Sequence, residues 1–420
     1  MVFIKYIKET LKYFLRSKFF IRKYIKEIED LYSMSPLELE QRNEKRFLEI
    51  FRAAYLRSPF YHQLYLDAGI QLDDIKSIKD IKKLPIISKD DIRKNGELML
   101  TVSKYRLLKN HTSGTTGTPL TVFEDWESIW REQAYFYCYR KRCGYIYGQP
   151  LVSLRGNLEK KNVFLKVHIS NTLYLSSYNI NDENIHIYYE QILMHKPVAI
   201  EGYPSSLYLF ALLLKKNAMQ LHIPLTFTSS ETLLDYQREL IVTQLDTCVY
   251  DHYGTTERTI RLSEKTDHSG YFEDPGYSIN EYLENGELTT SLINMSFPLI
   301  RYKGDDKIKL SDNGKNIIGI VGRIRDNIVC KDGCQLQALD FIVKEVSNIK
   351  ASQLVQYEIG KVVVKLVPDE GFDDYDKEKV ISSLQKRVGK DNLEIICEVT
   401  TMDGLIYSNS GKFKHILNLI

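Results

Sequence analysis

The chain has 420 residues, 43% of them hydrophobic and 27% charged, with a formal net charge of +2 at pH 7. These are ordinary globular values, and the length suffices for two domains with a large core. The near-balanced charge excludes the basic excess of a nucleic-acid-binding chain. The longest apolar run, "LYLFALLL" at 207–214, falls far short of the about 18 residues that span a bilayer.

Residues 1–28 carry eight Lys/Arg against Glu9 and Glu27, a local +6 that leaves −4 for the remainder. Ile4, Ile7, Leu11, Phe14, Ile21, Ile25 and Ile28 follow helical spacing, interrupted at Lys18. The pattern predicts a basic amphipathic helix over 1–30. Such a helix can lie on an anionic membrane surface, and it can equally pack on its own protein with a solvated basic face. Lys or Arg interrupts every apolar stretch here and no small-residue cleavage site follows, so a secretory leader is not expected. The six cysteines (138, 143, 248, 330, 334, 397) form no CxxC pair, which argues for free thiols in a reducing, cytoplasmic setting rather than a zinc site.

A second helical pattern runs from 40 to 66 into "RSPFYHQLYLDAGI". In "IKKLPIISKDDIRKN" (82–95), Pro85 ends an apolar approach and Ser88 can cap a helix whose first turn holds Asp90 and Asp91. "HTSGTTGTPL" (111–120) then packs two glycines, one proline and five hydroxyl residues into ten positions. That composition suits a solvent-exposed turn, or a loop that wraps phosphate oxygens with backbone N–H groups.

Between 150 and 300, β-rich runs ("PLVSLRG", "KPVAIEGY", "LTFTSSE", "TCVYDHYG") alternate with helical ones ("SSLYLFALLLKKN", "LLDYQRELIVTQL"). Sheets covered by helices are expected. After about 324, "QYEIGKVVVKLVPDE", "DYDKEKVISSLQKRVG" and "LEIICEVT" read as paired strands, a helix and a strand. The expected fold is mixed α/β, with a large N-terminal domain of helix-covered β-sheets (1–324) and a small mobile α+β domain (325–420).

Further segments mark the order of the chain: "EGYPSSLYLFA" (201–211), "TSSETL" (228–233), "YDHYGTTER" (250–258), "FPLIRYKGDDKIKL" (297–310), "GIVGRIRDNIV" (319–329) and "YSNSGKFKHI" (407–416). Each alone is compatible with a capped helix, a strand end or a hairpin. In this order and spacing, together with the Gly/Thr loop, they resemble the adenylate-forming (acyl-AMP) enzyme superfamily. The branch is that of phenylacetate–CoA ligase-like proteins and the CapK-type proteins of capsule and polysaccharide clusters. The likeness covers nearly the whole chain, including "RSPFYHQLY…DIKKLPIISKDDIR".

The resemblance implies that a carboxylate attacks the α-phosphate of ATP, releasing pyrophosphate and leaving an acyl-AMP. Catalysis then consists of positioning two anions and neutralising charge. It implies that Thr112, Ser113, Gly114, Thr115, Thr116 and Gly117 cradle phosphates and that Glu257 binds Mg2+. Tyr253 would lie against adenine within Gly254-Thr255-Thr256, with Ser230 and Glu231 along the base edge. Asp306 matches the ribose-binding aspartate, ahead of its neighbour Asp305, and Arg323 reaches the nucleotide. Arg325 falls at the hinge and Lys412 at the catalytic lysine. Around the acyl pocket lie Arg155, Tyr203, His252 and Arg258, a polar set that hints at a polar carboxylate.

Three departures stand out. The phosphate loop of the family usually continues Gly-Lys-Pro, where this chain has Thr118; the hinge is commonly Asp or Lys; and no Cys-rich insertion precedes the "GR" motif. They weaken CoA as the acceptor, and the CapK-type resemblance implies an amine or hydroxyl in surface-polysaccharide biosynthesis. An acyl- or aryl-CoA ligase is the alternative, and a catalytically silent nucleotide-binding relative is the second.

Overall fold

The computed structural model describes residues 2–15, 18–111, 120–155, 158, 162–284, 286–314, 316–323, 328–332, 335–336, 348–388, 391–407 and 416–420. The chain forms two compact units, neither continuous in sequence. One comprises 1–150, 166–172 and 250–320; the other comprises 151–165, 173–249 and 321–420. The fold is mixed α/β.

In the first unit the N-terminal segment is two helices, Val2–Leu15 and Lys18–Ser33, rather than one helix over 1–30. They differ in environment. The second buries Ile21, Tyr24, Ile25, Ile28 and Leu31 against Ala134, Tyr135 and Cys138 of the helix Trp126–Arg142. Its stripe is core.

The pattern over 40–66 likewise divides into Pro36–Arg57 and Pro59–Asp67. Ser58 is the break: its N–H closes the first helix on the Ala54 carbonyl and its hydroxyl accepts from the Tyr61 N–H. Pro59, with φ fixed and no N–H to place, suits the first position of the next helix. Ser88 caps Lys89–Asn95 in a capping box with Asp91.

Five strands that lie wholly or mostly in the first unit follow the spatial order Asp306–Leu310, Ile317–Arg323, Tyr271–Glu273, Arg261–Glu264 and Cys248–Gly254. A three-stranded antiparallel sheet joins Ser278–Leu283, Gly286–Ser291 and Tyr302–Lys303. Its apolar support is a cluster in which Phe297, Leu299, Ile300 and Tyr302 pack with Phe47, Phe51, Tyr61 and Tyr65.

In the second unit Leu151–Arg155, Ala199–Gly202 and Leu225–Ser229 are parallel neighbours. The helices Pro204–Lys216 and Asp235–Leu245 follow the second and third of these strands and pack into the same core through Leu207, Phe210, Ala211 and Ile241. This is the βαβ alternation expected from sequence, and strands covered by helices read as near-continuous apolar runs. A separate apolar cluster serves the C-terminal strands. There a four-stranded sheet runs Glu394–Val399, Lys361–Pro368, Ile349–Glu358, Ile416–Asn418, with Val380 and Leu384 of the helix Asp374–Val388 in its core.

Candidate active site

The segment "YDHYGTTER" is the end of one strand and the turn that follows. Cys248–Gly254 pairs antiparallel with Arg261–Glu264, so residues 255–260 form the connecting loop. Inside that loop the Arg258 N–H reaches the Thr255 carbonyl at 3.1 Å and the Thr259 N–H reaches Thr255 Oγ1 at 3.3 Å. The turn requires φ +56° at Arg258. His252, two residues before Gly254, lies edge-on to the ring of Phe136 at 4.8 Å.

Two hydrogen bonds tie this segment to "IRYKGDD". The Tyr253 hydroxyl donates to Asp306 Oδ2 at 2.5 Å, and the Tyr302 hydroxyl donates to Glu257 Oε1 at 3.1 Å. Burial, then Asp306 and Glu287, pushes the Tyr253 phenol well above its ordinary pKa, so it stays a donor. The same unit therefore assembles Glu257, Tyr253 and Asp306, three residues expected from two motifs. Asp305 is differently engaged: Lys89 Nζ sits 2.5 Å from its Oδ2.

Residues distant in sequence hold that strand in place. Tyr61 donates its hydroxyl to the Pro298 carbonyl at 2.9 Å and accepts the Ile300 N–H at 3.2 Å. Arg301 makes a bidentate pair with Glu281 at 2.9 and 3.0 Å and also donates to the carbonyls of Lys82 and Leu84. It does so at φ +49°. Its guanidinium, a fork of five donors, acts here as a clamp between a carboxylate and a loop.

Glu287 was missed altogether. It is 2% exposed and its Oε2 has no hydrogen-bond partner among the described residues. Gly304 lies against this carboxyl so closely that a Cβ there would overlap it. Burial, followed by the charges of Asp306 and Asp305, pushes its pKa up to about 8.

Arg258, expected at the acyl pocket, faces inward. Its guanidinium pairs with Glu124, lies 3.7 Å from Glu132, and donates to the Ser128 carbonyl at 3.2 Å. Burial alone would weaken its charge, but Glu132 and Glu124 hold its pKa above the ordinary value. The same network includes Arg261, paired with Glu132 and Asp274, and the Tyr277 hydroxyl, 2.6 Å from Glu132.

In the second unit Ser230 and Glu231 follow the strand Leu225–Ser229, and Tyr203 precedes the helix Pro204–Lys216. The Ser205 N–H, at the first turn of that helix, donates to Glu231 Oε2 at 3.1 Å. An anion is well placed there, against the helix N-terminus. Ser230 holds φ +73°. Ser230, Arg258 and Arg301 thus share a left-handed backbone that side chains rarely adopt, and each stands in one of the motif segments. Tyr203 is buried. Arg155 and Arg323 end the strands Leu151–Arg155 and Ile317–Arg323, and only their backbones are described. Thr112 to Gly117, Arg325 and Lys412 lie outside the described residues.

Magnesium takes oxygen ligands and commonly keeps water and phosphate in its shell. Among the described residues no group of three His, Cys, Asp or Glu side chains converges as a metal cage. A site in which the protein supplies one carboxylate, Glu257, and the nucleotide supplies the rest is consistent with that. Burial is the main cause of the raised Glu287 pKa, with Asp306, Asp305 and Glu257 adding to it and Lys89 opposing it.

The family model described as the CapK C-terminal domain matches residues 330–419. Protein CapK of Staphylococcus aureus is 27% identical, covering 89% of this chain and 87% of that protein. A phenylacetate–coenzyme A ligase of Aromatoleum evansii is 33% identical over a stretch covering 21% of this chain and 22% of its own. Among solved structures, 2-hydroxyisobutyryl-CoA ligase in its post-adenylation state, in complex with R3-HIB-AMP, superimposes with a TM-score of 0.69. The identity is 15%, covering 92% of this chain and 90% of that one. The fold is that of the adenylate-forming ligases. By sequence the chain is similar to Protein CapK over most of its length and to phenylacetate–coenzyme A ligase over a shorter stretch.

Proposed function

We propose that the protein activates a carboxylate with ATP and Mg2+, forming an acyl-AMP and releasing pyrophosphate. It then passes the acyl group to an amine or hydroxyl acceptor in surface-polysaccharide biosynthesis, with AMP as the leaving group. The observation that carries the reading is the paired bonding of Tyr253 to Asp306 and of Tyr302 to Glu257. Similarity to Protein CapK over 89% of the chain supports the branch, and the match over 330–419 supports a C-terminal domain from 325.

In this reading the substrate carboxylate attacks the α-phosphorus, a P–O bond forms, and pyrophosphate leaves with the electrons of the bond it breaks. Thr112, Ser113, Gly114, Thr115, Thr116 and Gly117 hold the phosphates. Glu257 holds Mg2+, whose charge offsets that of the phosphates. Asp306 accepts the ribose hydroxyls. Tyr253, Gly254, Thr255 and Thr256 serve the nucleotide with Ser230, Glu231 and Arg323. Lys412 offsets the negative charge shared by the attacking carboxylate and the α-phosphate. Arg155, Tyr203 and His252 select the acid, Arg258 is held inward by Glu124 and Glu132, and Arg325 is the hinge. Transfer to CoA is the second reading, supported by the stretch shared with phenylacetate–coenzyme A ligase.

We also assign the protein to the cytoplasm, with peripheral contact to anionic membrane through residues 1–28. Free thiols at Cys138, Cys143, Cys248, Cys330 and Cys397 support the reducing compartment. The test is pyrophosphate release across aryl, fatty, amino and hexuronic acids, without and then with CoA or amines. Release with one acid class, lost in Glu257→Gln, is expected. No release with any class favours the catalytically silent reading.

A further inference from the structure

The helix Val2–Leu15 is fastened along one side. The Leu15 carbonyl accepts the Trp130 Nε1–H at 2.9 Å, and the ring of Tyr13 stacks on Tyr147 at 5.5 Å with 5° between planes. Tyr6, Thr10 and Tyr13, one line down the helix, are partly buried. One residue further on lie Ile7, Leu11 and Phe14, which are 48%, 58% and 59% exposed. A step of one residue turns the line by about 100°. Large apolar side chains scattered singly on a surface are ordinary, but three in a helical row form a stripe.

Among the described side chains, the next helix carries no such row. Lys18–Ser33 turns Ile21, Ile25 and Ile28 into the core, each 6% exposed or less. The amphipathic signal of the first 28 residues therefore has two distinct destinations. In sequence, Lys5, Lys8 and Lys12 alternate with Ile7, Leu11 and Phe14, within the segment that holds a local +6 while the rest of the chain carries −4. An apolar row on a helix whose sequence carries this much positive charge matches an anionic headgroup layer, where such side chains enter the acyl boundary. No helix among the described residues is long and apolar enough to cross a membrane, so the contact would lie along the surface.

We propose that the helix Val2–Leu15 docks on an anionic bilayer through Ile7, Leu11 and Phe14, while Lys18–Ser33 anchors it to the first unit. This narrows the membrane contact assigned above to 14 residues. It rests on that reading and is independent of the adenylation chemistry.

The test is co-sedimentation of the full chain with vesicles of equal parts phosphatidylcholine and phosphatidylglycerol, against vesicles of phosphatidylcholine alone. The wild-type chain should bind the anionic vesicles. Ile7→Ser/Leu11→Ser/Phe14→Ser, which leaves the charge unchanged, should lower that partitioning about tenfold or more. Pyrophosphate release and thermal unfolding should not move. Equal binding by the triple variant would overturn the stripe while leaving a membrane contact elsewhere in 1–28. A wild-type chain that ignores anionic vesicles would overturn both. A wild-type dimer that the triple variant dissociates would mean that a second copy covers the stripe, and the proposal falls. If the triple variant folds poorly, Phe14→Trp reads the contact directly: a blue shift on anionic vesicles supports insertion and an unshifted emission overturns it.

Discussion

Asp306 accepts a hydrogen bond from the hydroxyl of Tyr253 at 2.5 Å, while the adjacent Asp305 is held by Lys89. Two neighbouring carboxylates therefore have different partners, one aromatic and the other cationic. Their substitutions should be distinguishable.

Asp306→Ala should weaken ATP binding by about 1.5–3 kcal/mol, the range for hydrogen bonds to a charged group. Asp305→Ala should leave nucleotide affinity nearly unchanged. It should lower stability by only about 0.5–1 kcal/mol, because the Lys89 pair is partly exposed to solvent. Calorimetric titration with ATP, beside urea unfolding, measures both. The opposite ranking in ATP affinity would shift the motif register by one residue.

Glu287 should make stability fall as pH rises. Its pKa is about 8 in the folded chain against an ordinary 4.5, so between these values the folded state binds more protons than the unfolded one. The contribution is fully present below 4.5 and is lost as pH rises through about 8. Relative to Glu287→Gln, wild-type unfolding free energy should decline by up to about 1.4 kcal/mol per pH unit across that window. Parallel stability curves for the two proteins would contradict a protonated Glu287.

Arg258→Ala should destabilise the fold by about 3–5 kcal/mol, since it leaves Glu124 without its buried counter-charge and Glu132 with Arg261 alone. Arg258→Lys should recover part of that loss but not the fork geometry. A raised KM for the acid with unchanged unfolding would instead place the side chain on substrate.

Lys412→Ala should lower acyl-AMP formation about 10²–10³-fold while ATP still binds, as expected for loss of a preorganised charge. Pyrophosphate exchange and nucleotide titration separate the two effects. Normal exchange would remove Lys412 from the reaction.

Ile28→Ala should cost about 2–5 kcal/mol, because Ile28 is fully buried. Removing residues 1–15 should leave the fold intact, whereas removing 1–28 should unfold the first unit. Thermal unfolding of the three proteins distinguishes them.

Much of the fold was legible from the chain because its signals are local. The runs "LTFTSSE" and "SSLYLFALLLKKN" became Leu225–Ser229 and Pro204–Lys216, and Ser88 with Asp91 capped a helix at the expected position. The failures were of two kinds. The helix over 1–30 was assigned one environment because periodicity reports an apolar face and not what covers it. Tyr61, Lys89, Glu281 and Glu287 escaped notice because their roles come from partners that pairing brings together, such as Tyr61 with Pro298 and Lys89 with Asp305. Spacing along a chain carries no sign of such contacts.

The interleaving of the two units also bears on how the chain is made. The first unit needs residues 250–320 as well as 1–150, so Tyr61 emerges from the ribosome long before Pro298 and Ile300, whose backbone groups its hydroxyl binds. At ordinary elongation rates that gap is on the order of ten seconds or more. During it the aromatic surface of Phe47, Phe51, Tyr61 and Tyr65 lacks Phe297, Leu299 and Tyr302. Nascent chains arrested before residue 297 should therefore recruit chaperones strongly, and release past residue 320 should end that dependence.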